Sequence, residues 1–181
     1  TAGDLVLASS GGGLSLGTTT VAGDAQVNST GGSITQTGSL TASGAASFAA
    51  STLDQSNNAV PAAVNLSDAG NNFIGPVTIV QASAVTLVDS VGGIELANVN
   101  DTGALSVTST GGSITQAANS AINAGGTTTL AATTNGTPAD ITLSGTGNNF
   151  VGPVNVSAGD DVTLVDGTGG LTLGTVTTTG N

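Results

Sequence analysis

The chemistry open to this chain rests on carboxylates. Among its 181 residues the only charged side chains are ten Asp and Glu95, and Lys, Arg, His, Cys, Met, Trp and Tyr are all missing. The tightest acidic grouping is Asp160, Asp161 and Asp166. Carboxylates so close could supply oxygen ligands to calcium. Their spacing matches neither an EF-hand loop nor a Gly-Gly-x-Gly-x-Asp nonapeptide, so they read as turn aspartates, and no resident metal or cofactor is expected. Asp160 and Asp161 could also form a glycosidase pair. That chemistry needs two carboxyls at a set separation, one with a raised pKa. With three Phe as the only aromatic residues and no basic residue, a sugar would be poorly held, and the chain is not expected to be an enzyme.

The missing residue types exclude more. A phosphate backbone needs Lys or Arg against it, so nucleic acid is not an expected partner. Anchoring to anionic lipid fails on the same ground. No run of 18 apolar residues could form a spanning helix, so direct membrane insertion is not expected. Zinc, haem and thiol chemistry lack their ligands, and a serine triad lacks its base. The formal charge of −11 permits no ion pair between side chains and leaves no trypsin site.

Two other motif types could act at a surface. Asn28, Asn65, Asn100, Asn135 and Asn155 open Asn-x-Ser/Thr tripeptides, which permit glycosylation. Threonine triplets stand at 18–20, 127–129 and 177–179. An ice-binding face needs such a motif on every coil, and these are spaced 109 and 50 residues apart, so they read as outward strand residues.

Internal repetition dominates the sequence. Residues 29–36 (STGGSITQ) recur unchanged at 109–116. Residues 70–77 (GNNFIGPV) recur at 147–154 with Ile74 replaced by Val151, and 85–89 (VTLVD) recur at 162–166. These offsets define units at about 5–84 and 85–161 and a partial unit at 162–181. Matching Phe48 to Leu130 places the main length change at 53–58, as a loop insertion. The start at Thr1 without Met suggests a piece of something longer.

Within each unit, short stretches alternate apolar and small polar residues, the period-two signature of strands with one buried face. The inward positions expected from this alternation are Leu7, Leu16, Leu66, Ile79, Leu87, Leu96, Val107, Leu143, Val156, Leu164 and Leu173. Gly, Asn, Asp and Ser separate the stretches as turn residues. The 70–72 and 147–149 turns (Gly-Asn-Asn) are expected to be entered with positive φ, with Phe73 and Phe150 plugging a corner of the core. Pro76 and Pro153 open strands, where no ladder bond is lost. Leu, Ile, Val and Phe number 43, a thin supply for a sphere or for the wide gap of a sandwich. A narrow β-solenoid suits it better: an all-β, right-handed parallel β-helix of about nine coils of about 20 residues, four coils to a unit. Each coil then contacts only its neighbours.

The blocks at 29–36, 147–154 and 161–174 (DVTLVDGTGGLTLG) resemble repeats of the filamentous-haemagglutinin-like large bacterial adhesins, exported by two-partner secretion or as autotransporters. The resemblance covers essentially the whole chain. It implies a right-handed parallel β-helix, a hand that the crossover rule for parallel strands also favours. It further implies an extracellular, cell-surface location and service as a stalk or fibre. On this reading the partners are flanking repeats of the same chain, with host or surface glycans as further candidates. Two other functions compete: head-to-tail self-assembly into a filament through open strand edges, and carbohydrate or ice binding by one face.

Overall fold

The computed structural model describes residues 3–180; the outermost residues of the expected segment, 1–2 and 181, lie outside the described residues. The described chain is strands and turns, without helix. Almost every ladder is parallel, and partners lie about 20 residues apart, as in Leu5↔Ala25 and Val85↔Leu105. The chain is a parallel β-solenoid of about eight coils of about 21 residues. At about 4.8 Å per coil the stack is about 38 Å long.

Each coil visits three faces. Leu5–Ser9, Ala25–Ser29, Ala46–Leu53 and Val77–Ala82 stack on the first. Leu14–Leu16, Ile34–Gln36, Val64–Leu66, Val85–Asp89, Leu105–Ser109, Thr128–Thr134 and Val154–Ala158 stack on the second. Thr19–Val21, Leu40–Ala42 and Asn72–Phe73 stack on the third. The long strand Ile94–Asp101 turns a corner. Its first half carries Ile114–Gln116 and then Ile141–Leu143 and Val162–Leu164, while its second half carries Ile122–Ala124 and Asn149–Phe150.

The first unit therefore holds ten strand positions on the three faces, from Leu5–Ser9 to Val77–Ala82. Ten positions make three and one-third coils rather than the four expected. The difference is geometric: part of each unit leaves the stack. Ala46–Leu53 runs past the corner and folds back as Ala59–Pro61 in an antiparallel hairpin. Thr128–Thr134 does the same with Thr137–Pro138. The first hairpin closes through a five-residue loop, 54–58, in which Asp54 Oδ1 accepts from the Ser56 and Asn58 amides at 2.8 and 2.9 Å. The second closes through Asn135-Gly136 alone, both with positive φ (51° and 79°), the dihedral sign that a two-residue primed hairpin turn needs. The length change expected at 53–58 is this difference in loop. Pro61 and Pro138 occupy the outer strands of the hairpins, where a missing N–H blunts an edge that could recruit another chain.

Inward side chains form continuous columns. On the second face Leu66, Leu87, Val107, Leu130 and Val156 lie in register, and on the first Leu7, Val27, Phe48, Ile79, Val99 and Ile122. All but Leu7 are buried. Phe73 and Phe150, the two residues expected to plug a corner, are buried, and Phe73 meets Phe48 edge-to-face at 6.4 Å. Among the expected inward residues, Leu16, Leu66, Ile79, Leu87, Leu96, Val107, Leu143 and Val156 are buried, whereas Leu7 and Leu164 are half-buried. Leu173 departs from expectation at 55 % exposed. It stacks in register on Val154, but it belongs to the last described coil, so its outer side meets solvent.

The Gly-Asn-Asn turns also depart from expectation. None of their residues has positive φ. Each is an ordinary four-residue turn, closed by Asn71 N–H to the Asp68 carbonyl and by Asn148 N–H to the Gly145 carbonyl, both at 3.2 Å. Left-handed backbone falls instead on the tandem glycines Gly92-Gly93 (84° and 89°) and their repeats Gly169-Gly170 (89° and 90°). A side chain there would be strained.

Candidate functional site

The polar residues of the repeated blocks meet inside the stack. Gln36 ends the SITQ block and Asn71 sits in the GNNF block one coil on. Their amides pair reciprocally: Gln36 Nε2 donates to Asn71 Oδ1 at 2.7 Å, and Asn71 Nδ2 donates to Gln36 Oε1 at 3.0 Å. Asn71 Oδ1 also accepts from the Leu40 amide at 2.8 Å, and Asn71 Nδ2 donates to the Leu66 carbonyl at 3.0 Å. The second unit builds the same clasp. Gln116 and Asn148 pair at 2.7 and 3.0 Å, Asn148 Oδ1 accepts from the Ile122 amide at 2.9 Å, and Asn148 Nδ2 reaches the Leu143 and Val165 carbonyls at 3.3 and 3.2 Å. Asn71 and Asn148 are fully buried. A buried amide so completely bonded fixes the turn it belongs to.

The third repeated block joins at the same corner. Asp89 of VTLVD accepts from the Phe73 amide at 2.8 Å and from the Val91 amide at 3.2 Å. Its repeat, Asp166, accepts from the Phe150 amide at 3.3 Å. Thus the three most exactly repeated blocks are parts of one lock between coils. Burial pushes the Asp89 carboxyl up to about 6, against the lowering pull of its two backbone bonds, and burial also raises Asp101.

These shifts give stability a pH dependence. Between about pH 4 and 6 the folded chain keeps protons that the unfolded chain has released, so stability falls as pH rises through that window and levels off above it. The melting temperature at pH 4 is expected to exceed that at pH 7 by several degrees. Asp89→Asn, which keeps a carbonyl acceptor for Phe73, is expected to shrink that difference. A melting temperature that instead rises from pH 4 to 7 would contradict the burial assignment.

Asp101 itself stands in a core column between Ala82 and Ala124. It is 2 % exposed, its Oδ1 accepts from the Gly103 amide at 3.1 Å, and its Oδ2 has no partner. Val21 occupies the matching place in the first unit, on Ala42. Asp101→Val is therefore expected to stabilise the chain by about 1–2 kcal/mol, read as a higher denaturant midpoint. Thr128 shows the same kind of exchange. It replaces Ala46 in the core, and its Oγ1 is buried without a partner.

The acidic residues singled out by sequence are not gathered into a site. Asp160 Oδ1 accepts from Thr179 Oγ1 at 2.7 Å, the Asp161 amide donates to Asp140 Oδ1 at 3.3 Å, and Asp166 serves Phe150. Among the described residues, no group of three or more carboxylates could hold a metal ion. Of the glycosylation tripeptides, Asn28, Asn65, Asn100 and Asn135 are exposed, and Asn135 stands at a hairpin tip. Asn155 is half-buried, and its Oδ1 accepts from the Thr175 amide at 2.8 Å. The outward row on the second face reads Asn65, Thr86, Ser106, Thr129, Asn155, a polar surface without the uniform threonine array that ice demands. A depression of about 460 Å³ lies over the second clasp, lined by Gln116, Asn119, Ser120, Ser144 and Thr146 among others, and no ionisable side chain lines it.

Sequence reasoning missed the clasps. Their signal was a Gln and an Asn held in both units inside the repeated blocks. The geometry offers coil-locking chemistry, made of hydrogen bonds between neutral amides, carboxylates and the backbone.

The model of a family described as repeats of unknown function (DUF5649) matches residues 2–80 and again 82–157. No curated protein and no solved structure matches the chain.

Proposed function

Because the chain belongs to the family of repeats of unknown function (DUF5649), we propose that it works as a structural repeat segment: a rigid stalk within an extracellular fibre or adhesin of the bacterial surface, related to the filamentous-haemagglutinin-like adhesins. One observation carries this reading. The amides Gln36, Asn71, Gln116 and Asn148 and the carboxylate of Asp89, which recur in both repeats, are turned onto one another and onto the backbone of neighbouring coils, and not outward toward a ligand. Selection for a binding site would keep exposed groups; selection for a rod keeps locks. The exterior suits life outside a cell, with an acidic surface that favours solubility and no Lys or Arg for trypsin to cut after. On this reading the chain is not an enzyme, needs no cofactor and takes flanking repeats of its own chain as partners. Surface localisation is tested by antibody labelling of intact cells of the source organism. Labelling only after permeabilisation would overturn the extracellular reading.

A second reading is head-to-tail assembly of separate copies. It would proceed through strand edges of the kind that any solenoid end presents. Electron microscopy of the purified chain separates the two. Short monodisperse rods fit the stalk segment, and long uniform filaments fit self-assembly.

A further inference from the structure

Repeat-equivalent strands lie on different faces. Leu5–Ser9 belongs to the first face, stacked on Ala25–Ser29. Its repeat Val85–Asp89 belongs to the second, between Val64–Leu66 and Leu105–Ser109. Likewise Ala46 stacks on Ala25 and Val77 on the first face, while its equivalent Thr128 stacks on Leu105 and Val154 on the second. The cause is the count of strand positions: ten to a unit, and ten is one more than three full coils of three.

We infer that each repeat is turned by one third of a revolution relative to the one before it, so that its surface features climb the solenoid as a three-fold screw. The axial step is three and one-third coils, about 16 Å. A given orientation recurs after three repeats, about 48 Å along the rod. The two hairpins show what is displayed this way. The first springs from the corner between the first and second faces, after Ala46–Leu53, and the second from the next corner round, after Thr128–Thr134. A flat partner, such as a cell surface lying along the rod, then meets one hairpin in every three repeats. The display suits a partner that reads a single hairpin, or one that wraps the rod, and gives neighbouring repeats no bivalent grip on a plane.

The chain has no cysteine, so paired spin labels can be placed without background. Gln55→Cys with Thr137→Cys puts one label on each hairpin. A coil of about 21 residues at ~3.3 Å each has a perimeter near 70 Å, and hairpin tips then stand about 20 Å from the axis. Hairpins one third of a turn apart should give a label separation of about 38 Å by double electron–electron resonance; hairpins on one side should give about 16 Å. Asn28→Cys with Asn100→Cys, three coils apart on the first face, serves as a same-face ruler at about 14 Å. All four positions are exposed, and the circular dichroism of each double variant is matched to the parent before measurement. A hairpin separation equal to the ruler's would overturn the screw and leave the stalk reading standing. Long filaments or intracellular staining would overturn the stalk reading and leave the screw standing.

Discussion

Leu87→Asp is expected to cost more than about 4 kcal/mol, because an ionised carboxylate would enter a column that offers it no partner. Leu87 has no exposed surface and lies between Leu66 and Val107 in the ladder of the second face. The position is central, with coils stacked on both sides. In a stack that is stabilised only by neighbour contacts, a failed middle coil separates two shorter stacks, each with fewer interfaces. Leu164→Asp carries the same chemistry to the half-buried end, where the side chain stacks on Leu143 and can turn toward water. It should cost about 1–2 kcal/mol. Thermal melts of the two variants side by side decide the matter, and equal drops would contradict the column.

Asn148→Leu should be nearly as severe, at about 3–5 kcal/mol. The substitution keeps the branched shape of the side chain and removes every bond that Asn148 makes in the clasp. It strands the Ile122 amide and the Val165 carbonyl, and leaves the Leu143 carbonyl and each end of the Gln116 side chain with one partner fewer. Buried polar groups without partners cost more than the bond is worth when made. Gln116→Leu leaves Asn148 its bonds to Ile122, Leu143 and Val165 and strands the Gly145 amide and the Ser120 carbonyl, which line a depression open to water, so it should cost less. The double variant is expected to cost less than the sum of the two by about 1–2 kcal/mol, since the mutual amide pair is lost only once. Strict additivity in urea titrations would mean that the two side chains do not act as a unit.

The columns were legible in the sequence because a strand with one buried face must alternate, and Val85-Thr86-Leu87 or Ile141-Thr142-Leu143 do so without exception. The corners were less legible. Residues 46–53 (ASFAASTL) mix small apolar and polar residues on both sides of the corner, so nothing in period two marks where a strand leaves the stack for a hairpin. Asn135-Gly136 did carry the turn signal, but Asn135 also opens a glycosylation tripeptide, and the shorter reading hid the structural one. Without the hairpins, four coils to a unit was the natural division and nine the natural total. The clasps were hidden for a different reason. Gln36 and Asn71 are 35 residues apart, and a polar residue aimed inward looks the same in sequence as one aimed at water. Asp101 misleads in the same way: its neighbours are polar, its equivalent is Val21, and only the ladder places it in the core.

The clasps also set how the chain would yield to force. Pulled from its two ends, a solenoid unwinds from the outside, one coil at a time. An unclasped coil of about 21 residues lengthens by about 70 Å when drawn out. The Gln116–Asn148 and Gln36–Asn71 bonds close loops of 32 and 35 residues, and no coil inside such a loop can extend until its amide pair parts. The record of extension against load should therefore show two long steps, each of about 110 Å, among shorter ones: a rod with two ratchets, giving way in jerks instead of a smooth unravelling.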